Sequence, residues 1–217
     1  MKKIGIVTIM LVSTFLISGT IYGKGYGKGN GRGQAQVQGQ GQQGVYLQNI
    51  MNGPRYEVTE QDVKGLLLMR EEEKLARDVY YALYKKWQHR AFANIGNSEQ
   101  QHMNAIKVLL TKYGIEDPVT GENEKRGVFH DAELQKVYND LLAQGSKSLV
   151  AALQVGATVE DLDIKDLNDL LAQTANPDII LVYENLVKGS RNHLRAFAGQ
   201  LARNNSHYKA QYLTQVE

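Results

Sequence analysis

The chain has 217 residues, with 25 Lys and Arg against 23 Asp and Glu, and no cysteine. That length allows one domain with an appended tail; the missing thiols exclude disulfides, a lipoprotein anchor and thiolate metal sites, so any metal falls to His, Asp and Glu. The slight excess of base is local, because the first 50 residues carry Lys2, Lys3, Lys24, Lys28 and Arg32 and no acid. The remainder has 20 basic residues against 23 acidic ones, about −3, with no broad basic face to suggest nucleic acid.

Residues 1–23 read as a secretory signal peptide: Lys2 and Lys3, an apolar run from Ile4 to Ile17, then the small residues Ser18, Gly19, Thr20 and Gly23. A retained membrane anchor is the competing reading, but it wants about 20 apolar residues, and this run is shorter and interrupted by Thr8, Ser13 and Thr14. The chain is therefore expected to be exported, to the cell exterior or envelope (the periplasm where a second membrane exists), with no stable membrane partner after cleavage. Residues 24–56 open on "KGYGKGNGRGQAQVQGQGQQG", a Gly/Gln-rich tract with almost nothing to bury, and are read as a flexible linker.

From residue 57 to residue 203 the pattern is helical, rich in Leu, Ala, Glu and Lys and without sustained alternation. "VTEQDVKGLLLMREEEKLARDVYYALYKKW" predicts a long first helix capped by Thr59. "NIGNSEQQHMNAIKVLLTKYG" predicts a second, ending at Gly114. A loop with Pro118 and Gly121 leads to a shorter helix, "DAELQKVYNDLLAQG". "SKSLVAALQVGATVEDL" is the third main helix, capped by Ser146, and "DIKDLNDLLAQT" a separate short one. "NPDIILVYENLVKGSRNHLRAFAGQL" is the fourth, opened by Asn176 and Pro177. Residues 204–217 form a polar, frayed tail. The class is all-α: four main helices with a long crossover between the second and third, plus short extra helices, suit a four-helix bundle.

Acids and imidazoles lie on the apolar stripes of these helices. Steps of three and four from Glu99 meet Ile95, His102, Ile106 and Leu109, so Glu99 and His102 face inward. In the first helix Glu72 shares a line with Leu68, Leu75, Val79 and Leu83, and Glu73 shares the adjoining line with Met69, Ala76 and Tyr80. Glu160 follows Leu149, Leu153 and Gly156; His193 follows Leu186 and Ser190 and precedes Phe197. Burying a carboxylate costs several kcal/mol unless it is paired or ligated. One such residue is commonly a salt-bridge member, with Arg70, Arg77 and Arg191 available as cations; the placement of one on each of four helices is what points to a metal. His89, His130 and His207 have no partner at ligand spacing and are expected at the surface.

At these residues the sequence resembles the ferritin-like, rubrerythrin-related bundles, which hold two irons with a Glu from each of two helices and a Glu-x-x-His from each of the other two. Glu99-x-x-His102 matches one such motif, Glu72 or Glu73 the first-helix carboxylate, Gly156 to Glu160 the third-helix segment, and His193 the last imidazole. "MREEEKLARDVY", "FANIGNSEQQHM", "VGATVEDLDIKDL" and "VYENLVKGSRNHLRAF" together are similar to one family of these, domain of unknown function 2202, over roughly residues 60–200. The departure is at position 190, where the motif asks for Glu and this chain has Ser190. Asp161 and Asp163 compensate only if the third helix bends near them.

The resemblance implies a mono- or dinuclear iron site, with manganese or zinc also suited to N/O ligands, held by Glu72 or Glu73, Glu99, His102, Glu160 and His193, with Glu72 bridging. It implies oxidation by oxygen or peroxide, of ferroxidase or peroxidase type, with Tyr80 or Tyr113 as electron or hydrogen-bond partners. Metal ions are the expected partners, with self-association as a homodimer through helix faces. The alternative is a metal-free ferritin-like structural or interaction module at the cell envelope, its inward acids paired with the imidazoles and arginines.

Overall fold

Thr59 starts the first long helix by a reciprocal cap: its hydroxyl accepts from the Asp62 amide at 3.1 Å while the Asp62 carboxylate accepts from the Thr59 amide at 2.9 Å. The computed structural model describes residues 44–213. The predicted signal peptide and most of the Gly/Gln tract lie outside the described residues. A short helix (α1) covers residues 44–52, followed by α2 (Glu60–Trp87), α3 (Arg90–Tyr113), a 3-10 turn (Gly121–Glu124), α4 (Ala132–Gly145), α5 (Leu149–Leu171) and α6 (Pro177–Arg203). No strand occurs among the described residues, and no helix among them is long and apolar enough to cross a membrane.

The structure corrects four boundaries. The linker expected over 24–56 contains α1, whose Ile50 is buried in the core and whose Ile50 carbonyl accepts from Lys112 Nζ at 2.6 Å. Apolar Tyr46, Leu47 and Ile50 at helical spacing drive it down onto the bundle. The second helix begins at Arg90, not Asn94, because His89 caps it through Nδ1. Gln88 takes the left-handed conformation (φ 51°) that turns the chain between α2 and α3. The third helix and the short helix predicted after it are one continuous helix, α5, capped by Ser148 rather than Ser146. Finally, the expected frayed tail is anchored as far as residue 213. Buried Asp161 accepts from the Tyr208 hydroxyl and from the amides of Gln211, Tyr212 and Leu213 at 2.6–3.1 Å.

α2 packs chiefly on α3 and α5 chiefly on α6, and the two pairs face each other; α4 covers α2 and α5. The crossover from α3 to α4 is pinned by fully buried Lys74, which donates to Asp78, Lys125 O and Val128 O, and by paired hydrogen bonds from Arg70 to Asp117.

The core divides into two apolar clusters. One holds Leu75 to Leu83 of α2, Phe92 and Ile95 of α3, Ala152 to Ala157 of α5, and Phe197 and Leu201 of α6. The other holds Leu66 and Met69, Ala105 to Leu110, Ile164 to Leu170, and Ile179 to Val187 of the same four helices. Glu73, Glu99, His102, Glu160, Ser190 and His193 fall in the gap on every helix. The bundle therefore has a polar layer across its middle, sealed above and below by hydrocarbon.

Candidate metal centre

Each main helix brings its residue to this layer by the same device, a polar side chain set into an apolar line. On α2 the line is Leu66, Met69, Glu73, Ala76, Tyr80 and Leu83, all buried. The steps alternate between three and four residues, the spacing of a helix face turned to a bundle axis. On α3 it is Phe92, Ile95, Glu99, His102, Ile106 and Leu109. Glu73, Glu99 and Glu160 are at most 2% exposed and His102 is 6% exposed; the His193 side chain is 11% exposed.

Two sets of three ligand-type residues result, Glu73 with Glu99 and His102, and Glu99 with Glu160 and His193, and in each the donor atoms all lie within 4.8 Å of one another. Glu99 belongs to both sets. Its Oε2 is 2.7 Å from His102 Nδ1 and its Oε1 is 2.9 Å from His193 Nδ1. Glu73 Oε2 is 3.2 Å from His102 Nδ1, and Glu160 Oε2 is 3.3 Å from His193 Nδ1. The two imidazoles lie 5.4 Å apart, 27° from parallel.

These groups are only partly satisfied by one another. Glu73 Oε1, Glu99 Oε1 and His193 Nδ1 are buried without a hydrogen-bond partner. Glu99 Oε1 and His193 Nδ1 are close, yet their contact is not aligned as a hydrogen bond. No lysine or arginine ion pair reaches the layer among the described residues: Arg70 is bound to Asp117, Arg77 to Asp78 and Gln100, and Arg191 lines an outer groove with Glu184 and Lys188. Three buried carboxylates beside two imidazoles, with unpartnered oxygens, are ligand types that could hold a dication.

The surrounding residues fix the donors. The Tyr80 hydroxyl donates to Glu160 Oε1 at 2.6 Å, and the Ser98 hydroxyl is 2.9 Å from His193 Nε2. Such outer contacts set which nitrogen faces a metal. Tyr80, Phe92 and Phe197 form an aromatic wall, with ring centroids 5.3–6.4 Å apart. Gly189 lets His102 lie against the backbone of α6: a Cβ there would stand 2.5 Å from His102 Nε2.

The charges are strongly redistributed. Burial pushes Glu73 up to about 7, against the pull of His102. Burial and then the Glu99 charge push Glu160 up to about 7. Burial opposes the charge on Glu99, but the two imidazoles outweigh it and hold this carboxylate far below the usual range. For His193, burial is outweighed by Glu99 and Glu160, which raise it to about 10; His102 is raised in the same way by Glu73 and Glu99. Without a metal, then, two protonated imidazoles flank an ionised Glu99.

Of the six predicted residues, Glu73, Glu99, His102, Glu160 and His193 converge and Glu72 does not. Glu72 lies instead in a groove between α2, α4 and α5 with Asp163 and Asp166, and the shared position expected of it belongs to Glu99. Tyr80 is a hydrogen-bond partner of the layer, whereas Tyr113 bonds Asp178 and Asn176 at the far end of α3. His130 and His207 are exposed, but His89 is half-buried as the α3 cap. Sequence reasoning did not place Ser98 or Gly189, although each immediately precedes a residue it had singled out.

An all-helical bundle with a mid-core carboxylate–histidine layer is the class of molecule this defines. The chain belongs to the family described as "Uncharacterized protein domain (DUF2202)", whose model matches residues 62–217. It is similar to the protein described as "Uncharacterized protein MJ0754" from Methanocaldococcus jannaschii, 51% identical over 171 residues, which span 79% of this chain and 91% of that one. A crystal structure titled as that of hypothetical protein MJ0754 from Methanococcus jannaschii superposes with a TM-score of 0.73 at 52% identity, covering 75% of this chain and 92% of the other.

Proposed function

We propose that the protein is an exported, ferritin-like metal-binding bundle whose mid-core layer holds two iron ions. Manganese and zinc are the next ions suited to the same donors. The observation that carries the proposal is the sharing of Glu99 between two three-residue donor sets. One ion would be held by Glu73, Glu99 and His102, the other by Glu99, Glu160 and His193. The unpartnered Glu73 Oε1, Glu99 Oε1 and His193 Nδ1 fit such occupants, and a dication offsets the burial that three carboxylates otherwise have to bear.

Bound iron would supply one-electron chemistry toward oxygen or peroxide, and the activity we propose is of ferroxidase or peroxidase type. The chain's own part is to hold and seal. In the metal-free layer burial keeps protons on Glu73 and Glu160 to near neutrality, and a bound dication would displace them. Tyr80 steadies Glu160, Ser98 steadies His193, and the aromatic wall keeps bulk water out. Export rests on the signal-like Lys2 to Gly23 order alone.

The test is elemental analysis of the purified chain expressed with added iron, beside a His102→Ala/His193→Ala variant. Two irons per chain, lost in the variant, are expected. No metal in either protein would instead favour the metal-free structural module.

A further inference from the structure

On α6, Glu184, Lys188, Arg191 and Arg195 follow one another in steps of four, three and four, a single line along the helix. This line walls a groove of about 470 Å³ on the outer seam with α5, which contributes Asn168 and Leu171, while Val187 adds an apolar surface from α6. The ion pairs among the described residues all lie elsewhere, so neither the three cations nor Glu184 is matched to an opposite charge. Arg195 is oriented by Asn192, whose Oδ1 accepts from its Nη2 at 2.6 Å. Arg191 is half-buried, and its Nε is shut off from solvent with no hydrogen-bond partner. A buried guanidinium N–H without an acceptor is costly, and an anionic acceptor in the groove would satisfy it.

We infer that this groove binds the phosphate group of a small organic phosphomonoester, at a site independent of the mid-core layer. Charge and shape set the class. Three cations against one acid leave the lining at +2, and a phosphate monoester brings about −1.5 to −2 at pH 7 with three acceptor oxygens. The planar forks of Arg191 and Arg195 suit oxoanion oxygens, with Lys188 as a point charge and the Asn168 amide as a donor from α5. Leu171 and Val187 offer the organic part an apolar surface. Glu184 stands seven residues before Arg191, about 10 Å along the axis, where it repels a second phosphate and can accept from a hydroxyl. The ligand is therefore singly phosphorylated, with a neutral body. A free ester and the headgroup of phosphatidic acid share this chemistry.

The test is calorimetric titration of the metal-free full chain with inorganic phosphate and with phenyl phosphate, with helical content checked by circular dichroism. One saturable site is expected, tighter for phenyl phosphate. Arg191→Gln should weaken it about tenfold or more, the scale of a lost charge-assisted hydrogen bond. Lys188→Gln/Arg195→Gln, which alters only exposed side chains, should do the same and keeps the test valid if Arg191→Gln fails to fold. Lys85→Gln/Lys86→Gln removes as much charge from the exposed end of α2 and should bind as the native chain does, as should His102→Ala/His193→Ala. No saturable site in the native chain, or equal weakening by the α2 pair, would overturn the inference and leave the metal centre untouched. Binding lost only in the histidine variant would also overturn it, placing the anion on the mid-core imidazoles. Co-sedimentation with phosphatidic acid vesicles, abolished by Lys188→Gln/Arg195→Gln, would assign the headgroup as the source; phenyl phosphate binding without co-sedimentation would assign a free ester.

Discussion

Gly189 is the residue on which the layer's geometry depends most sharply, since any side chain there runs into His102. A Gly189→Ala change places its Cβ 2.5 Å from His102 Nε2, close enough that the ring has to move. His102 belongs to the set with Glu73 and Glu99, so the expected outcome is a bundle of native helical content that binds one metal ion at least tenfold more weakly. Equal metal affinity in native and Gly189→Ala chains would show that His102 is not a ligand. At this scale the sequence was legible wherever an apolar line was narrow. Glu99, His102 and His193 could be placed by counting threes and fours. Glu72 and Glu73 could not be separated, because α2 buries two sides, one against the bundle and one beneath α4, and both glutamates lie among apolar neighbours.

Among the elements, helix identity followed from composition and period, and capping residues located several ends correctly. Thr59, Gly114 and the Asn176–Pro177 pair stand where capping chemistry put them. The fused third helix and the anchored tail have one cause, a polar residue whose partners are distant in sequence. The break expected between Leu162 and Asp163 does not occur, and Asp161 just before it is occupied by Tyr208 and three amides some fifty residues on. Once that carboxylate has its donors, nothing in the segment breaks the helix. There is no glycine or proline between Ala157 and Leu171. The short α1 was hidden by the glycine-rich residues before it, and only its seat on the lower cluster through Ile50 explains why it is ordered. An isolated helix of that length is marginal without tertiary contacts.

For the molecule as a whole, a polar layer between two apolar halves makes stability depend on pH and, on the proposed metal centre, on metal as well. In the metal-free fold Glu73 and Glu160 keep their protons to about pH 7, whereas an unfolded carboxyl releases its proton near 4.5. The folded chain therefore binds more protons over that interval, and its stability falls as pH rises from about 4.5 to about 7. His193, raised from 6.5 to about 10, continues the fall over that higher interval. Glu99 acts in the opposite sense, but its contribution is complete once the unfolded carboxyl has ionised above about 4.5. Urea unfolding with a chelator present should therefore give a lower midpoint at pH 8.5 than at pH 6. Excess Mn(II) should reverse that order, because metal displaces the retained protons and binds more tightly as they leave. Midpoints unaffected by Mn(II) at either pH would contradict this coupling.

We propose that the layer shared by α2, α3, α5 and α6 holds two metal ions, with Glu99 common to both sets of ligands. Its most direct test is anomalous diffraction at the iron edge from crystals of the full chain loaded anaerobically with Fe(II). Two peaks are predicted within the layer, one beside His102 and Glu73 and one beside His193 and Glu160, with Glu99 between them. A layer without anomalous signal in crystals grown with excess iron would contradict the claim, and would leave these carboxylates and imidazoles as a buried hydrogen-bonded network.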